Sequence, residues 1–473
     1  MSRRIPFGAP IATAAEMRAA EQALFDRGVS VDELMEAAGL AVAREVRRFA
    51  AGRPILVLAG PGNNGGDAYV AARHLAEWGC DVVVGARGRP GDGAAARMAA
   101  RWSGETTPLD QAAPRPVLVD GLFGTGASRA LDDALAGAVA RLADGADLVI
   151  AIDLPSGIDA DAVRVGGGVR AAITIALGAL KPGHLVGPGA GDCGHVLLAD
   201  IGVPVDTAAA TVTRPRLEPL HGGLQKFSRG MVAVVGGAMP GASLLAATAA
   251  MHGGAGYVVL AERQASGTQP HALVRRPVAD AQALAELLGD DRIGAVAVGP
   301  GLGRDSDARA WLDTALACPR DLVVDADALS LLGETVSDRI DARRRRVFLT
   351  PHGGEFDRLF GKADGNVNKI DRTRAAAAAN GATVIHKGAD TVIATPDGTC
   401  RVLASATPWL STAGTGDVLA GLLAARHARL KDRPLYAAVE AVWLHAAAAA
   451  RLVPPFIADQ VADALPAALV AAR

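Results

Sequence analysis

Short unbroken apolar runs, each closed by a glycine-bearing polar segment, recur along this chain of 473 residues. After Pro54 they fall at 55–59, 81–84, 117–119, 147–152, 172–177 and 196–199, with longer stretches of helical spacing, such as 68–78, between them. Runs this short are strands buried on both faces, and their alternation with helices predicts a parallel sheet covered on both sides. A second series at 231–235, 257–261, 293–298, 322–324, 347–349 and 383–385 repeats the rhythm, then gives way to helical patterns at 417–430 and 435–452. Up to residue 50 the chain reads as helix. Thr13 with Glu16 and Ser30 with Glu33 have capping-box spacing, and Gly28 and Gly39 divide the pieces.

Between the two series, residues 203–224 collect Pro204, Pro215, Pro219, Gly222 and Gly223. A domain boundary is expected there, giving domains 1–215 and 216–473, because the chain exceeds what one core organises. The halves share a style but no repeating sequence, so two different α/β domains are expected. Composition agrees: half the residues are hydrophobic, only 4% are aromatic, and 56 glycines suit close helix-to-sheet packing.

Charge narrows the partners. With 48 basic against 50 acidic residues the net charge is -2, so no global field recruits nucleic acid or an anionic membrane, and a small molecule is the expected partner. The one dense basic run, Arg343-Arg344-Arg345-Arg346, reads as a solvated helix end or loop. The four cysteines, Cys80, Cys193, Cys318 and Cys400, lie far apart without ligand spacing and read as reduced thiols. Residues 230–261 lack any charge, but Pro240 and several glycines interrupt them, which fits a buried strand-loop-helix-strand rather than a membrane span. Met1-Ser2-Arg3-Arg4-Ile5-Pro6 is not followed by an apolar signal core, so a cytoplasmic enzyme is expected.

Two polar segments stand apart: Gly60-Pro61-Gly62-Asn63-Asn64-Gly65-Gly66-Asp67 and Ser411-Thr412-Ala413-Gly414-Thr415-Gly416-Asp417. Each sits where a helix begins, so free backbone N–H groups and the positive end of the helix dipole can face a phosphate. Two loops of different design imply two sites. Each ends in Asp, which repels an anion and therefore points to chemistry, or to holding a hydroxyl or a cation.

In the first half, three strand ends carry such segments: Asn63 to Asp67, Asp120-Gly121-Leu122-Phe123-Gly124-Thr125-Gly126, and Asp153-Leu154-Pro155-Ser156-Gly157-Ile158-Asp159. In a doubly wound sheet these ends converge on the ligand crevice. A dinucleotide-dehydrogenase fingerprint does not fit, since the G-x-G-x-x-G spacing is missing and no acidic residue closes 81–84 at the right place. Asn63, Asn64 and Asp120 offer hard oxygen atoms suited to a monovalent or divalent cation.

Together with Lys181-Pro182-Gly183-His184, these segments resemble the NAD(P)H-hydrate epimerases over about residues 10–210. The resemblance implies a Rossmann-like three-layer αβα domain. It assigns Asn63, Asn64, Gly65, Gly66, Asp67, Gly124, Thr125, Gly126, Ala127, Ser128, Arg129, Ala130 and Asp153 to the hydrated dinucleotide, and Asn64, Asp120 and Ser156 to K+. Ala68 departs from the glycine usual in that family. The hydrate carries a hydroxyl on a carbon next to the ring nitrogen, so inverting it needs proton transfer rather than a redox cofactor, and Asp153 at its strand end is the expected acid–base group.

In the second half, Thr412 to Asp417 resembles the G-x-G-D anion hole of ribokinase-like phosphotransferases. No Gly-Lys-Ser or Gly-Lys-Thr of a Walker loop follows. Val298-Gly299-Pro300-Gly301-Leu302-Gly303, Asp325-Ala326-Asp327-Ala328-Leu329, Thr350-Pro351-His352-Gly353-Gly354-Glu355-Phe356 and Lys387-Gly388-Ala389-Asp390-Thr391 follow further strands. The set resembles the ADP- or ATP-dependent NAD(P)H-hydrate dehydratases, ribokinase-like enzymes, over about residues 225–470. Members fused in this order are typically ADP-dependent. The resemblance assigns Ala255, Gly301, His352 and Asp417 to the S hydrate, with Asp417 catalytic, and Lys387, Gly388, Ala389, Asp390, Thr391 and Gly416 to the nucleotide, which Mg2+ accompanies. Gly303 is an alternative to Gly301. The expected whole is a bifunctional repair enzyme for NADHX and NADPHX, with relatives suggesting a homo-oligomer, and a tetramer of dehydratase domains is one form. The alternative is a ribokinase-like small-molecule kinase with an N-terminal nucleotide-binding module.

Overall fold

The computed structural model describes residues 4–473 apart from 127–130, 164–167, 218–221, 265–269, 341–344, 363–364, 366 and 405. The chain divides into two compact units, Met1–Thr211 with Gly365–Lys369, and Val212–Asp364 with Ile370–Arg473.

The first unit opens with two helices, Ala14–Phe25 and Val31–Ala50, each started by its capping box: the Thr13 and Ser30 hydroxyls accept from the backbone of Glu16 and Glu33, whose side chains accept in return. Gly39 is not a divider. It lies inside the second helix, where a Cβ would stand 2.4 Å from Cβ of Val70, so the glycine permits a close helix crossing. Strands β1 (Ile55–Ala59), β2 (Val82–Ala86), β3 (Thr106–Pro108), β4 (Val117–Gly121), β5 (Leu148–Ile152), β6 (Ile173–Leu177) and β7 (His195–Ala199) form one sheet in the order β3-β2-β1-β4-β5-β6-β7. All its pairings are parallel. Strand order reverses between β1 and β4, which opens the crevice at their carboxyl ends. Ile55 and Val57 pack into a core with Val42, Val46 and Leu75, whereas Leu56 and Leu58 pack on the other face with Leu135, Val139 and Leu142. That alternation makes a three-layer sandwich of helices, sheet and helices. A short β8 (Ala209–Thr211) runs beside residues 9–11, with Ile11 N–H donating to Ala209 O at 2.9 Å.

The second unit is built on β9 (Met231–Val235), β10 (Tyr257–Glu262), β11 (Val274–Pro277), β12 (Ile293–Val298), β13 (Leu322–Val324), β14 (Val347–Leu349), β15 (Thr383–His386), β16 (Thr391–Ala394) and β17 (Cys400–Leu403). They lie in the order β11-β10-β9-β12-β13-β14-β15-β16-β17. The sheet is parallel as far as β15 and ends in an antiparallel meander through β16 and β17. Strand order here reverses between β9 and β12. One face packs on the helices Pro240–His252, Thr415–Leu430, Pro434–Ala449 and Ala458–Ala471, the other on Ala281–Leu288, Ser306–Ala317, Ala326–Leu332 and Gly353–Phe360. The short strands β3, β11, β16 and β17 and the last helix were not among the expected elements, although Val392 to Ala394 form an apolar run and Ala458, Val461, Ala462, Leu465 and Ala468 have helical spacing. Among the described residues no helix is long and apolar enough to cross a membrane. Of the basic run, 343–344 fall outside the described residues; Arg345 donates to the carbonyls of Cys318 and Leu316, and Arg346 N–H donates to Asp321.

Two candidate active sites

The helix after β1 starts at Asn63 rather than near residue 68, so Asn63 to Asp67 form its first turns. Glycine is required in this turn by space. A Cβ on Gly60 would stand 1.9 Å from Leu122 O, one on Gly65 1.8 Å from Gly60 O, and one on Gly66 2.4 Å from Met35 Sδ. Gly65 and Gly66 are buried and support the turn, whereas Asn63, Asn64 and Asp67 line a cavity of about 470 Å³ with Gly124, Thr125, Gly126 and Asp153. Residues 127–130, expected to complete the dinucleotide contacts, lie outside the described residues.

Asp153, the first residue after β5, has a φ of 60°, a left-handed conformation uncommon outside glycine and of the kind concentrated at functional sites. Its carboxylate meets Lys181 Nζ at 2.5 Å, and this lysine also donates to Leu177 O at 2.8 Å. His184 braces the turn from both sides: one ring nitrogen lies 2.6 Å from Asp153 O, and the other accepts from Lys181 N–H at 2.8 Å. Lys181 is 1% exposed and Asp153 5%, so this is a buried ion pair on the wall of the cavity. Nearby carboxyls are affected. Burial, then the charges of Asp153 and Glu21, push Asp67 well above the ordinary range, and burial raises Glu21 while Lys181 opposes it. The site thus sets an ion-paired carboxylate beside two carboxyls whose pKa values burial raises. Sequence reading noticed Lys181 to His184 without its charge partner, and missed Glu21 and Arg18, which come from a helix far away in sequence.

Asp120, fully buried at the end of β4, accepts from Ser156 N–H and Oγ, both at 2.7 Å, and from Leu122 N–H at 3.2 Å. Burial raises its pKa and those bonds oppose the rise. No cationic side chain pairs with it among the described residues, so a buried carboxylate stands beside the Ser156 hydroxyl in a setting that fits a monovalent cation. The Asn64 side chain lies next to Gly124, where a Cβ would meet Oδ1 at 3.0 Å, and its Nδ2 is buried without a partner among the described residues.

In the second unit, the helix Thr415–Leu430 starts at Gly414, whose φ of 88° makes the left-handed entry to the anion loop. A Cβ on Gly416 would stand 3.2 Å from Lys387 Nζ, so the expected phosphate loop and the expected cation are neighbours. Lys387 is aimed by Asp325, 1% exposed, at 2.7 Å, and Asp325 accepts in turn from Thr350 Oγ1 at 2.8 Å. Asp417 follows on the same turn. Burial first, then the charges of Asp325 and Asp327, raise its carboxyl to about 7, near the working range of a general base.

A cavity of about 490 Å³ is lined by His352, Lys387, Gly388, Ala389, Thr391 and Gly416, among others. His352 also caps the helix Gly353–Phe360, its Nδ1 accepting from Gly354 N–H at 3.0 Å. Gly301 (φ 66°) sits on the neighbouring strand end, beside Ala242. Ala255 does not join them. It precedes β10, which runs parallel to β9, and so lies at the amino ends of the strands, whereas Gly301, His352 and Lys387 follow carboxyl ends. Ala242, in the helix after β9, is the small residue that the geometry brings to the site; only the strand order reveals it.

A doubly wound domain followed by a phosphotransfer-type α/β domain is the class this fold and these sites define. The second unit matches a ribokinase-like superfamily protein from Enterococcus faecalis, with a TM-score of 0.51 at 22% identity over 56% of this chain and 97% of that one, a likeness of fold. Residues 232–466 match the family model described as NAD(P)H-hydrate dehydratase, and residues 31–183 that of the YjeF-related protein N-terminus. The chain is 34% identical to a bifunctional NAD(P)H-hydrate repair enzyme of Thermofilum pendens, with 86% of each chain covered, and 36% identical to one of Gloeobacter violaceus, with 92% of each covered. The chain belongs to the family of bifunctional NAD(P)H-hydrate repair enzymes.

Proposed function

We propose that the first unit, to about residue 215, interconverts the R and S hydrates of NADH and NADPH, and that the remainder dehydrates the S hydrate with ADP, releasing AMP and phosphate. The observation that supports this most is that one chain matches such relatives over nearly its whole length and carries a carboxyl in the wall of the first cavity, Asp153, and another, Asp417, directly after Gly416 in the wall of the second. A free-standing small-molecule kinase would leave the Asp153–Lys181 cavity without a purpose.

In the first site the dinucleotide lies along Asn63, Asn64, Asp67 and the Gly124 turn. Asp153 moves the proton at the ring hydroxyl while a bond at that ring carbon breaks and re-forms on the opposite face, which inverts the carbon, and Lys181 holds the Asp153 carboxylate in place. Asn64, Asp120 and Ser156 would hold K+, which when bound supplies positive charge beside the ligand.

In the second site Gly301, His352 and Asp417 hold the S hydrate, and Lys387 to Thr391 with Gly416 hold ADP. Asp417 takes the proton of the ring hydroxyl, the hydroxyl oxygen attacks the terminal phosphoryl group of ADP, and the bond from that phosphorus to the bridging oxygen breaks to release AMP, with Lys387 and the loop N–H groups neutralising the developing charge. Loss of phosphate from that carbon and of a proton from its neighbour then restores the double bond. Mg2+ accompanying the nucleotide would add charge compensation. The same reading includes a cytoplasmic homo-oligomer.

The test supplies mixed R and S hydrates with ADP and follows absorbance of the reduced nicotinamide. Full recovery is expected from the wild-type protein and only the S share from Asp153→Asn. An Asp153→Asn protein that recovers everything at the normal rate defeats the epimerase assignment, and an Asp417→Ala protein that still consumes ADP with the S hydrate defeats the other.

A further inference from the structure

Within the second cavity, one buried side-chain nitrogen has no partner among the described residues. His445, on the inner face of the helix Pro434–Ala449, is 8% exposed, lines the cavity, and its Nε2 is buried without a hydrogen bond. The ring is tied by a hydrogen bond to the backbone of Thr415, at the start of the anion-loop helix. With Nε2 unbonded, Nδ1 makes that contact. The Thr415 carbonyl can only accept, so Nδ1 carries the proton and Nε2 presents a bare lone pair. Burial pushes the imidazole pKa down to about 4, and Lys387 adds to the effect, so the ring is neutral at pH 7.

A buried acceptor without a donor costs free energy until a ligand supplies one. A phosphate oxygen, itself an acceptor, would not satisfy it, and the donors proposed above for the phosphates, Lys387 and the N–H of Gly416, stand together elsewhere in the site. Apolar side chains contribute to the same wall, Val442 and Ala446 on the same helix face as His445, with Leu419 and Leu403, alongside the hydroxyl residues Thr412 and Thr415 of the anion loop. A partly apolar wall that carries a buried acceptor suits a flat heterocycle with an N–H donor.

Resting on the nucleotide reading above, we propose that His445 selects the base of the nucleotide: its Nε2 accepts a hydrogen bond from the exocyclic amine of adenine and rejects purines that carry a carbonyl oxygen there. In such a base an acceptor faces an acceptor, which loses the bond and adds repulsion. Thr415 thereby links base recognition to the loop that holds the phosphates, since one residue braces the histidine and begins the anion-loop helix.

The test measures dissociation constants of ADP, inosine diphosphate and 2′-deoxy-ADP, with Mg2+, by calorimetry on the full-length wild-type, His445→Leu and His445→Gln proteins. Inosine diphosphate differs from ADP by replacing the amine with a carbonyl. Wild-type protein is expected to prefer ADP over inosine diphosphate by roughly tenfold or more, one hydrogen bond's worth. His445→Leu loses that preference through weaker ADP binding, and His445→Gln, whose side-chain oxygen can accept at a similar reach, regains part of it. Wild-type protein that binds the two diphosphates equally overturns the proposal, as does His445→Leu protein that still separates them. A preference for ADP over 2′-deoxy-ADP that vanishes in His445→Leu assigns the acceptor to the ribose and also overturns it. Wild-type protein that binds none of the three defeats the nucleotide site itself, a different failure from loss of base selectivity alone.

Discussion

At the scale of single residues, two acidic side chains carry the proposed chemistry, and their surroundings treat them differently. Asp417 must be ionised to take a proton, yet its carboxyl is raised to about 7 by burial and by Asp325 and Asp327. As pH falls through that value the base becomes protonated, so kcat/KM for dehydration of the S hydrate is expected to decline below about pH 7, approaching tenfold per pH unit. A profile flat from pH 5 to 8 would contradict the assignment. Asp153 instead has Lys181 at 2.5 Å in a buried pair. Lys181→Met leaves that carboxylate without its cation and is expected to lower epimerisation by about 10²-fold or more and stability by about 3 kcal/mol. The double variant Asp153→Asn with Lys181→Met should recover most of the stability and none of the activity, because no unpaired charge remains, and thermal denaturation beside the epimerase assay reads both. Asp153 was legible in the sequence from its place after a strand. Its lysine was not, because the two meet only when β5 and β6 lie side by side.

Elements decide where these residues point, and glycines set how closely the elements pack. The helix Thr415–Leu430, which carries the anion loop, crosses the helix Pro240–His252 so closely that a Cβ on Gly421 would stand 1.9 Å from Ala246 O. Gly421→Ala is therefore expected to cost about 1–3 kcal/mol and to weaken nucleotide binding by shifting the loop, which calorimetry and thermal melts would show together. An unchanged melting temperature would mean that the crossing tolerates a methyl group. Gly39 makes the same point in the first unit: sequence alone reads a glycine inside a helical pattern as a break, whereas here it is the contact surface of an unbroken helix. The start of the helix at Asn63 was displaced for a related reason, since Gly65 and Gly66 lower helix propensity locally while the tertiary fold demands them.

For the whole molecule, two sites with different demands on one substrate give a concrete expectation. An equimolar mixture of the Asp153→Asn and Asp417→Ala proteins should recover all of a mixed R and S hydrate, because each supplies the step the other lacks and the hydrate diffuses between them. Recovery that stops at the S share would show that the hydrate does not pass between separate molecules. By itself the sequence determined the alternation of the main strands and helices, the two α/β halves, the two glycine loops and the carboxyls at strand ends, but not the short strands β3, β8, β11, β16 and β17 or the last helix. Periodicity, capping spacing and turn chemistry are local, and local rules write those features into neighbouring residues. Tertiary structure alone decided that Lys181 pairs with Asp153, that Asp325 aims Lys387 at Gly416, that Ala242 rather than Ala255 stands beside Gly301, and that His445 turns an unbonded nitrogen into a cavity. Each of these joins residues far apart in the chain, and only strand order and helix packing bring such residues within hydrogen-bonding distance.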